Sequence, residues 1–189
     1  LFWVGGTGNW SDSTHWSTTS GGAGGACIPG PYDNVWFDQN SFNSTNQTVT
    51  INIPEAYCKD MVWSGVNFNP SFSSPTGYNI HIFGSLTLHP SMTISLSGNM
   101  IFEATSTGKT ITSADKTFGG NIIFLGDGGG WTIMDSLKSQ GKIQLLFGSL
   151  YTNSKNVKCN QFISNTSSVR TLNISNSVIS DCFAFISLL

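Results

Sequence analysis

At 189 residues the chain is long enough for one domain with an ample core, yet only 10% of it is charged, against about 25% in ordinary globular proteins. An aromatic content of 12% and a net charge of −2 exclude a disordered chain, and so small a charge leaves no electrostatic footprint for nucleic acid or an anionic membrane. The hydrophobic 39% is set among Ser, Thr, Asn and Gly, the mixture of a β-rich extracellular protein with a neutral surface.

In chain order, residues 1–42 stand apart. They hold four of the six tryptophans (Trp3, Trp10, Trp16 and Trp36), a flexible run Ser20-Gly-Gly-Ala-Gly-Gly25, a turn at Pro29-Gly-Pro31 and a short strand at Val35-Trp-Phe37. The body, residues 43–189, is a string of short strands. Val49-Thr-Ile-Asn-Ile53, Ile80-His-Ile82, Leu86-Thr-Leu88, Met92-Thr-Ile-Ser-Leu96 and Leu172-Asn-Ile174 alternate apolar with polar, the pattern of a strand with one buried face. Ile133 to Ser139 is the only stretch that reads as a helical turn. No apolar run reaches the length of a membrane span. The tail Phe183-Ala-Phe-Ile-Ser-Leu-Leu189 would be an uncovered apolar edge, prone to pairing with other chains, so the reading is that the native chain continues beyond Leu189.

A repeat organises the body. Asn99-Met-Ile-Phe102, Gly108 and Thr110-Ile111 recur as Asn121-Ile-Ile-Phe124, Gly130 and Thr132-Ile133, a step of 22 residues, and Ile143-Gln-Leu-Leu-Phe147 begins a third run 22 residues after Asn121. A weaker echo links Phe83-Gly-Ser-Leu86 with Phe147-Gly-Ser-Leu150. Short β-rich runs recurring at such a period predict an all-β fold, a right-handed parallel β-helix of about 22 residues per coil. Ile101 then stacks on Ile123 and Phe102 on Phe124, while residues 1–42 form an aromatic cap over the first coil. A β-sandwich or jelly roll is the alternative, since strands at intervals of roughly 8–12 residues suit it as well.

Cys27, Cys58, Cys159 and Cys182 lack metal-ligand spacing. Cys159 and Cys182 are 23 residues apart, near one coil step, and are expected to bond, with Cys27–Cys58 stapling the N-terminal region. Disulfides imply an oxidising compartment; the alternative is four free, buried thiols.

Phe2-Trp-Val-Gly-Gly-Thr-Gly-Asn-Trp-Ser-Asp-Ser-Thr-His-Trp-Ser17, followed by Gly21-Gly-Ala-Gly-Gly-Ala26, Pro29 and Asp33-Asn-Val-Trp-Phe-Asp-Gln-Asn-Ser-Phe42, resembles the opening of very large Bacteroidota cell-surface proteins: adhesins, gliding-motility proteins and polymorphic repeat proteins. A looser Trp-Gly-Asn-Trp signature is similar to that of autotransporter passenger domains. The resemblance covers residues 2–42. It implies a right-handed parallel β-helix at the start of a long chain, exported by the type IX route, whose C-terminal signal domain this sequence lacks.

Several residues are candidates for chemistry. Trp10, Trp16 and Trp36 offer flat faces on which a sugar would stack, against the alternative that they fill the cap. Asp12, Asp33 and Asp38, with Asn34 and Asn40, supply oxygens for a calcium ion, though turn capping explains them equally and no metal motif is present. Asp135-Ser-Leu137 and Asp12-Ser-Thr14 match an Asp-Ser/Thr O-glycosylation pattern of Bacteroidota, marking Ser136 first and Ser13 second. Glu55, Asp60, Glu103, Asp115 and Asp127 do not bunch along the chain, and His15, His81 and His89 lie apart from any nucleophile motif. The expectation is therefore no enzyme and no cofactor. The chain reads as a structural or adhesive segment of a large extracellular or cell-surface protein or filament. Its partners would be other subunits, cell-surface polysaccharide or the rest of its own chain. A carbohydrate-binding module of a larger secreted enzyme and a phage fibre segment are the alternatives.

Overall fold

The computed structural model describes residues 1–186, and these form a parallel β-solenoid whose coils each cross three faces. The first face stacks Phe2–Trp3, Val35–Phe37, Met61–Trp63, Leu86–Thr87, Lys109–Thr112, Gly130–Ile133, Gly148–Tyr151 and Arg170–Asn173. The second begins with Gly8–Asn9, Thr48–Thr50, Ser71–Ser74 and Thr93–Leu96; later coils take it up as Thr117–Phe118, Leu137–Ser139, Val157–Lys158 and Ile179–Ser180. The third runs from Glu55–Cys58 through Asn79–Ile82, Met100–Phe102, Ile122–Phe124, Lys142–Leu145 and Gln161–Ser164 to Phe183–Ile186. The second face is two four-stranded sheets, parting between Thr93–Leu96 and Thr117–Phe118, and within every sheet these neighbours pair in parallel, which sets the sandwich alternative aside. One strand, Trp16–Ser17, pairs antiparallel with Phe2–Trp3 and covers the outer edge of the first face.

The repeat appears where the sequence places it. Ile101 lies beside Ile123 and Phe102 beside Phe124, the two rings stacked at 5.2 Å and 14°. The step is not constant: it is 19 residues from Trp131 to Leu150, 22 from Met100 to Ile122 and 26 from Val35 to Met61. Turns absorb the difference, so the inward positions stay aligned. The echo of Leu86 in Leu150 therefore lands two residues out of register, Leu86 leading through Ile111 to Ile133 while Leu150 sits on Trp131. A shift of two leaves a side chain on the same face, and both leucines are buried.

Inward residues fill the solenoid with Val, Ile, Leu, Phe, Met and Trp, and Trp63 and Trp131 belong to this core. At the corner entering the third face, side chains bond up the stack. Asn79 Nδ2 donates to Glu55, Asn99 N to Asn79 Oδ1, Asn121 Nδ2 to Asn99 Oδ1 and Lys142 N to Asn121 Oδ1, at 2.8–3.1 Å. This asparagine ladder gives the turn a partner that does not depend on exact coil length.

Three expectations need correction. Ile133 to Ser139 is not helical: it spans the end of Gly130–Ile133 and Leu137–Ser139, because Ile133 and Leu137 are inward residues on successive faces. The glycine run at 20–25 is a packed loop, with Gly25 N donating to Ser13 O and Asn40 Nδ2 to Ser20 Oγ, and a Cβ on Gly24 would fall 1.8 Å from Thr14 O. The boundary at residue 42 falls inside a coil, since Phe2–Trp3, Gly8–Asn9 and Val35–Phe37 are already solenoid strands and only the excursion between Asn9 and Val35 serves as a cover. Within the apolar tail, Phe183–Ile186 forms a third-face strand, and residues 187–189 lie outside the described residues.

Alternation makes a direct test. Phe124→Ala, which empties a fully buried site, is expected to cost about 3–5 kcal/mol in chemical denaturation, while Ile123→Ala on the outer side costs about 1 kcal/mol. Equal losses would contradict the assignment of faces.

Candidate functional site

The tryptophans divide by burial. Trp10 and Trp16 are fully buried, with Trp16 edge-on to Trp10 at 4.9 Å and to Trp3 at 5.0 Å, so neither offers a face to a sugar. The cause is the local geometry: the antiparallel pairing of Trp16 with Trp3 turns the excursion back over the first coil. Trp3 Nε1 donates to Gly6 O at 2.7 Å and Trp16 Nε1 to Trp10 O at 2.8 Å, whereas the buried N–H groups of Trp10 and Trp63 have no partner among the described residues. Trp36 differs. It is 38% exposed on the outer side of the first face and stacks beside Phe2 at 6.2 Å.

The three aspartates are not brought together as a calcium site. Asp12 Oδ1 accepts from Thr14 N and Thr14 Oγ1 at the start of a single 3-10 turn, Ser13–His15. Asp33 accepts from Gly30 N, and Asp38 from Asn40 N. Each closes its own turn, as short polar side chains do. The hydrogen bonds from Thr14 hold the Asp12 carboxyl below its usual range. No group of three or more His, Cys, Asp or Glu side chains among the described residues is placed to hold a metal ion.

Of the two glycosylation candidates, Ser13 is exposed on the 3-10 turn, whereas Ser136 is half-buried. Asp135 and the Ser136 carbonyl are engaged by Ser113 of the preceding coil, at 2.7–2.9 Å. Cys159 and Cys182 form a disulfide between successive coils, Cα to Cα 5.2 Å. Cys27 and Cys58 do not pair, which corrects the second staple. Cys58 points inward from Glu55–Cys58 and is fully buried, its thiol pushed well above its usual range by desolvation, while Cys27 is exposed in the excursion.

Two outer surfaces emerge instead. On the second face the outward positions form hydroxyl columns, Thr48–Ser71–Thr93 and Thr50–Ser73–Ser95, in register across neighbouring coils about 4.8 Å apart. Thr50 Oγ1 and Ser73 Oγ are 3.2 Å apart. The third face carries a charged diagonal. His81 Nε2 is 2.6 Å from Glu55 Oε2 and Nδ1 is 2.9 Å from Glu103 Oε2, with Tyr57 stacked on the imidazole at 4.9 Å.

The diagonal brings together two of the acids that lie apart in the sequence, Glu55 and Glu103, with His81 between them. Glu55 and His81 are 26 residues apart and His81 and Glu103 are 22 apart, each about one coil. Aligning the third-face strands at those unequal steps is the signal that finds them. Ionised carboxylates only accept, so both contacts are hydrogen bonds at once only when both ring nitrogens carry protons; a neutral ring serves one. The hydrogen bond from His81, opposed by desolvation and aided to a lesser degree by that from Asn79, holds the Glu55 carboxyl below its usual range. Glu55, His81 and Glu103 lie on three successive third-face strands, so the ring clamps three coils.

No protein-family model, curated protein or solved structure matches the chain.

Two outcomes test this geometry. Trp10→Phe removes an unpaired N–H, whereas Trp16→Phe removes a made bond and strands the Trp10 carbonyl; thermal or chemical melts should show Trp16→Phe the more costly by about 1 kcal/mol. For Glu55, whose folded-state pKa is depressed, the stabilisation is present above the ordinary carboxyl value of 4.5 and is lost as pH falls through the folded value. Wild type should therefore exceed Glu55→Gln at neutral pH by no more than about 1 kcal/mol, since solvent screens the half-exposed Glu55 carboxylate, with the gap closing in acid. A gap that persists at low pH would remove the clamp.

Proposed function

We propose that this chain is a non-enzymatic structural and adhesive segment of a secreted cell-surface protein or extracellular filament. The observation that carries this reading is the early part of the second face: an uncharged array of Thr and Ser hydroxyls repeated at the coil spacing across three strands, over a packed core. Such a face meets another hydroxyl-rich surface through many weak, similar hydrogen bonds, and repetition along the rod supplies the strength. The disulfide Cys159–Cys182 supports residence in an oxidising, non-cytoplasmic compartment. No helix among the described residues is long and apolar enough to cross a membrane.

The resemblance of residues 2–42 supports a place on the Bacteroidota envelope, with type IX export and a setting in gliding motility or attachment. Partners on this reading are neighbouring subunits, cell-surface polysaccharide and further coils of the same polypeptide. If the native protein is a glycoprotein, Ser13 is the better exposed acceptor of the two candidates. A second reading, a carbohydrate-binding module, draws on one observation: the exposed Trp36 beside Phe2 gives a stacking surface.

Beads coated at graded density with the chain test the first reading. Adhesion to polysaccharide-coated surfaces or to whole Bacteroidota cells should rise steeply with density and fall when Thr48, Thr50, Ser71 and Ser73 are replaced by Glu. Adhesion absent at every density would refute it. Soluble, monovalent binding to a neutral glycan, abolished by Trp36→Ala alone, would favour the module.

A further inference from the structure

On the second face of the later coils, Thr117, Lys138, Lys158 and Ser180 occupy one line: Thr117 pairs with Lys138, and Lys158 with Ser180, while Lys138 pairs with Lys158. The two lysines therefore sit side by side on adjacent strands, where like charges repel. Each is balanced from a different coil. Lys138 Nζ is 2.8 Å from Asp115 Oδ1, and Lys158 Nζ is 2.8 Å from Asp181 Oδ2. The row reads hydroxyl, base, base, hydroxyl, with an acid, Asp115 or Asp181, engaging each base.

Beside this row is an open cleft of about 440 Å³ lined by Thr117, Lys138, Gln140, Lys158, Asn160 and Asp181. Gln140 and Asn160 use their backbone N–H groups within the coil stack and leave their side-chain amides exposed. Cys159 also lines the cleft, and its disulfide to Cys182 fixes the floor across two coils.

From this juxtaposition we propose that the Lys138–Lys158 cleft binds an acidic polysaccharide, through a carboxylate or sulfate group seated at the paired ammonium groups. The anion supplies what the row lacks, a negative charge touching both lysines. Amides and the Thr117 hydroxyl meet sugar hydroxyls on either side. The line crosses four strands, roughly 14 Å, which suits an extended chain of sugars more than a small free anion. Nucleic acid fits less well, because no aromatic ring lines the cleft on which a base would stack. Asp115 and Asp181 act as built-in competitors, so affinity is set by exchange of their carboxylates for the incoming anion. The inference goes beyond the scaffold reading and does not depend on it: the cleft would bind whether the hydroxyl face is adhesive or not.

Calorimetric titration of the whole chain with polygalacturonate, dextran sulfate, neutral dextran and single-stranded DNA at low and high salt tests it. Binding is expected for one or both acidic polysaccharides and not for neutral dextran, weakening with salt. Binding of polygalacturonate alone assigns a carboxylate, and of dextran sulfate alone a sulfate. Lys138→Ala with Lys158→Ala should reduce affinity at least about tenfold with an unchanged melt, while Lys59→Ala, several coils away, should not. Asp115→Asn and Asp181→Asn each free an ammonium group and should tighten binding about threefold, a readout that a purely structural ion pair would not move. No binding to either acidic polymer at low salt, affinity unaltered in the double lysine variant, Asp→Asn variants that fail to tighten binding, or equal binding of DNA would each overturn the proposal.

Discussion

Everything in this molecule depends on coils meeting in register. A single coil has two or three short strands and a few apolar side chains, and neither its backbone nor its core is satisfied alone. Stacking supplies both at once: the hydrogen bonds of each strand go to the coils on either side, and the inward side chains of one coil rest on those of the next. The Phe102–Phe124 stack is one instance, and the asparagine ladder from Glu55 to Lys142 is its counterpart at the corner. Where backbones approach closely the turn admits glycine only. A Cβ on Gly126 would lie 2.0 Å from Ala104 O.

The same constraint governs the sparse charges. Residues remote along the chain become neighbours when their separation equals the local coil length. Glu55, His81 and Glu103 meet this way, and so do Asp115 with Lys138 and Lys158 with Asp181. Of ten acids and eight bases, these contacts engage four acids and two lysines. Each of these contacts joins residues of different coils, and the two adjacent lysines are each balanced by an acid on their outer side.

The fold was legible because apolar residues repeat strongly in the middle of the chain. Asn99-Met-Ile-Phe102 and Asn121-Ile-Ile-Phe124 share a spacing and a face, and one coil length was enough to fix the class. The charged diagonal was not legible from a constant 22-residue step, since Glu55 and His81 are separated by 26. Coil length varies in the turns, where composition carries little information about how many residues are spent. The cysteines show the other limit. Proximity to one coil step identified Cys159 and Cys182, but Cys58 needed attention to direction: in Glu55-Ala-Tyr-Cys58 the alternation buries Ala56 and Cys58 together, which removes Cys58 from the reach of the exposed Cys27. The aromatic segment was read correctly as a cover, though its first strands proved to be part of the stack.

The bond between Cys159 and Cys182 also sets how the rod pays out under load. Pulled along its chain, a solenoid peels one coil at a time, each release lengthening the tether. The 22 residues between these cysteines cannot join that extension while the bond is intact, which withholds roughly 75 Å of slack at about 3.4 Å per residue. The molecule thus carries a fixed stop near one end of its described coils, and a reducing environment would change its reach before it changed its shape.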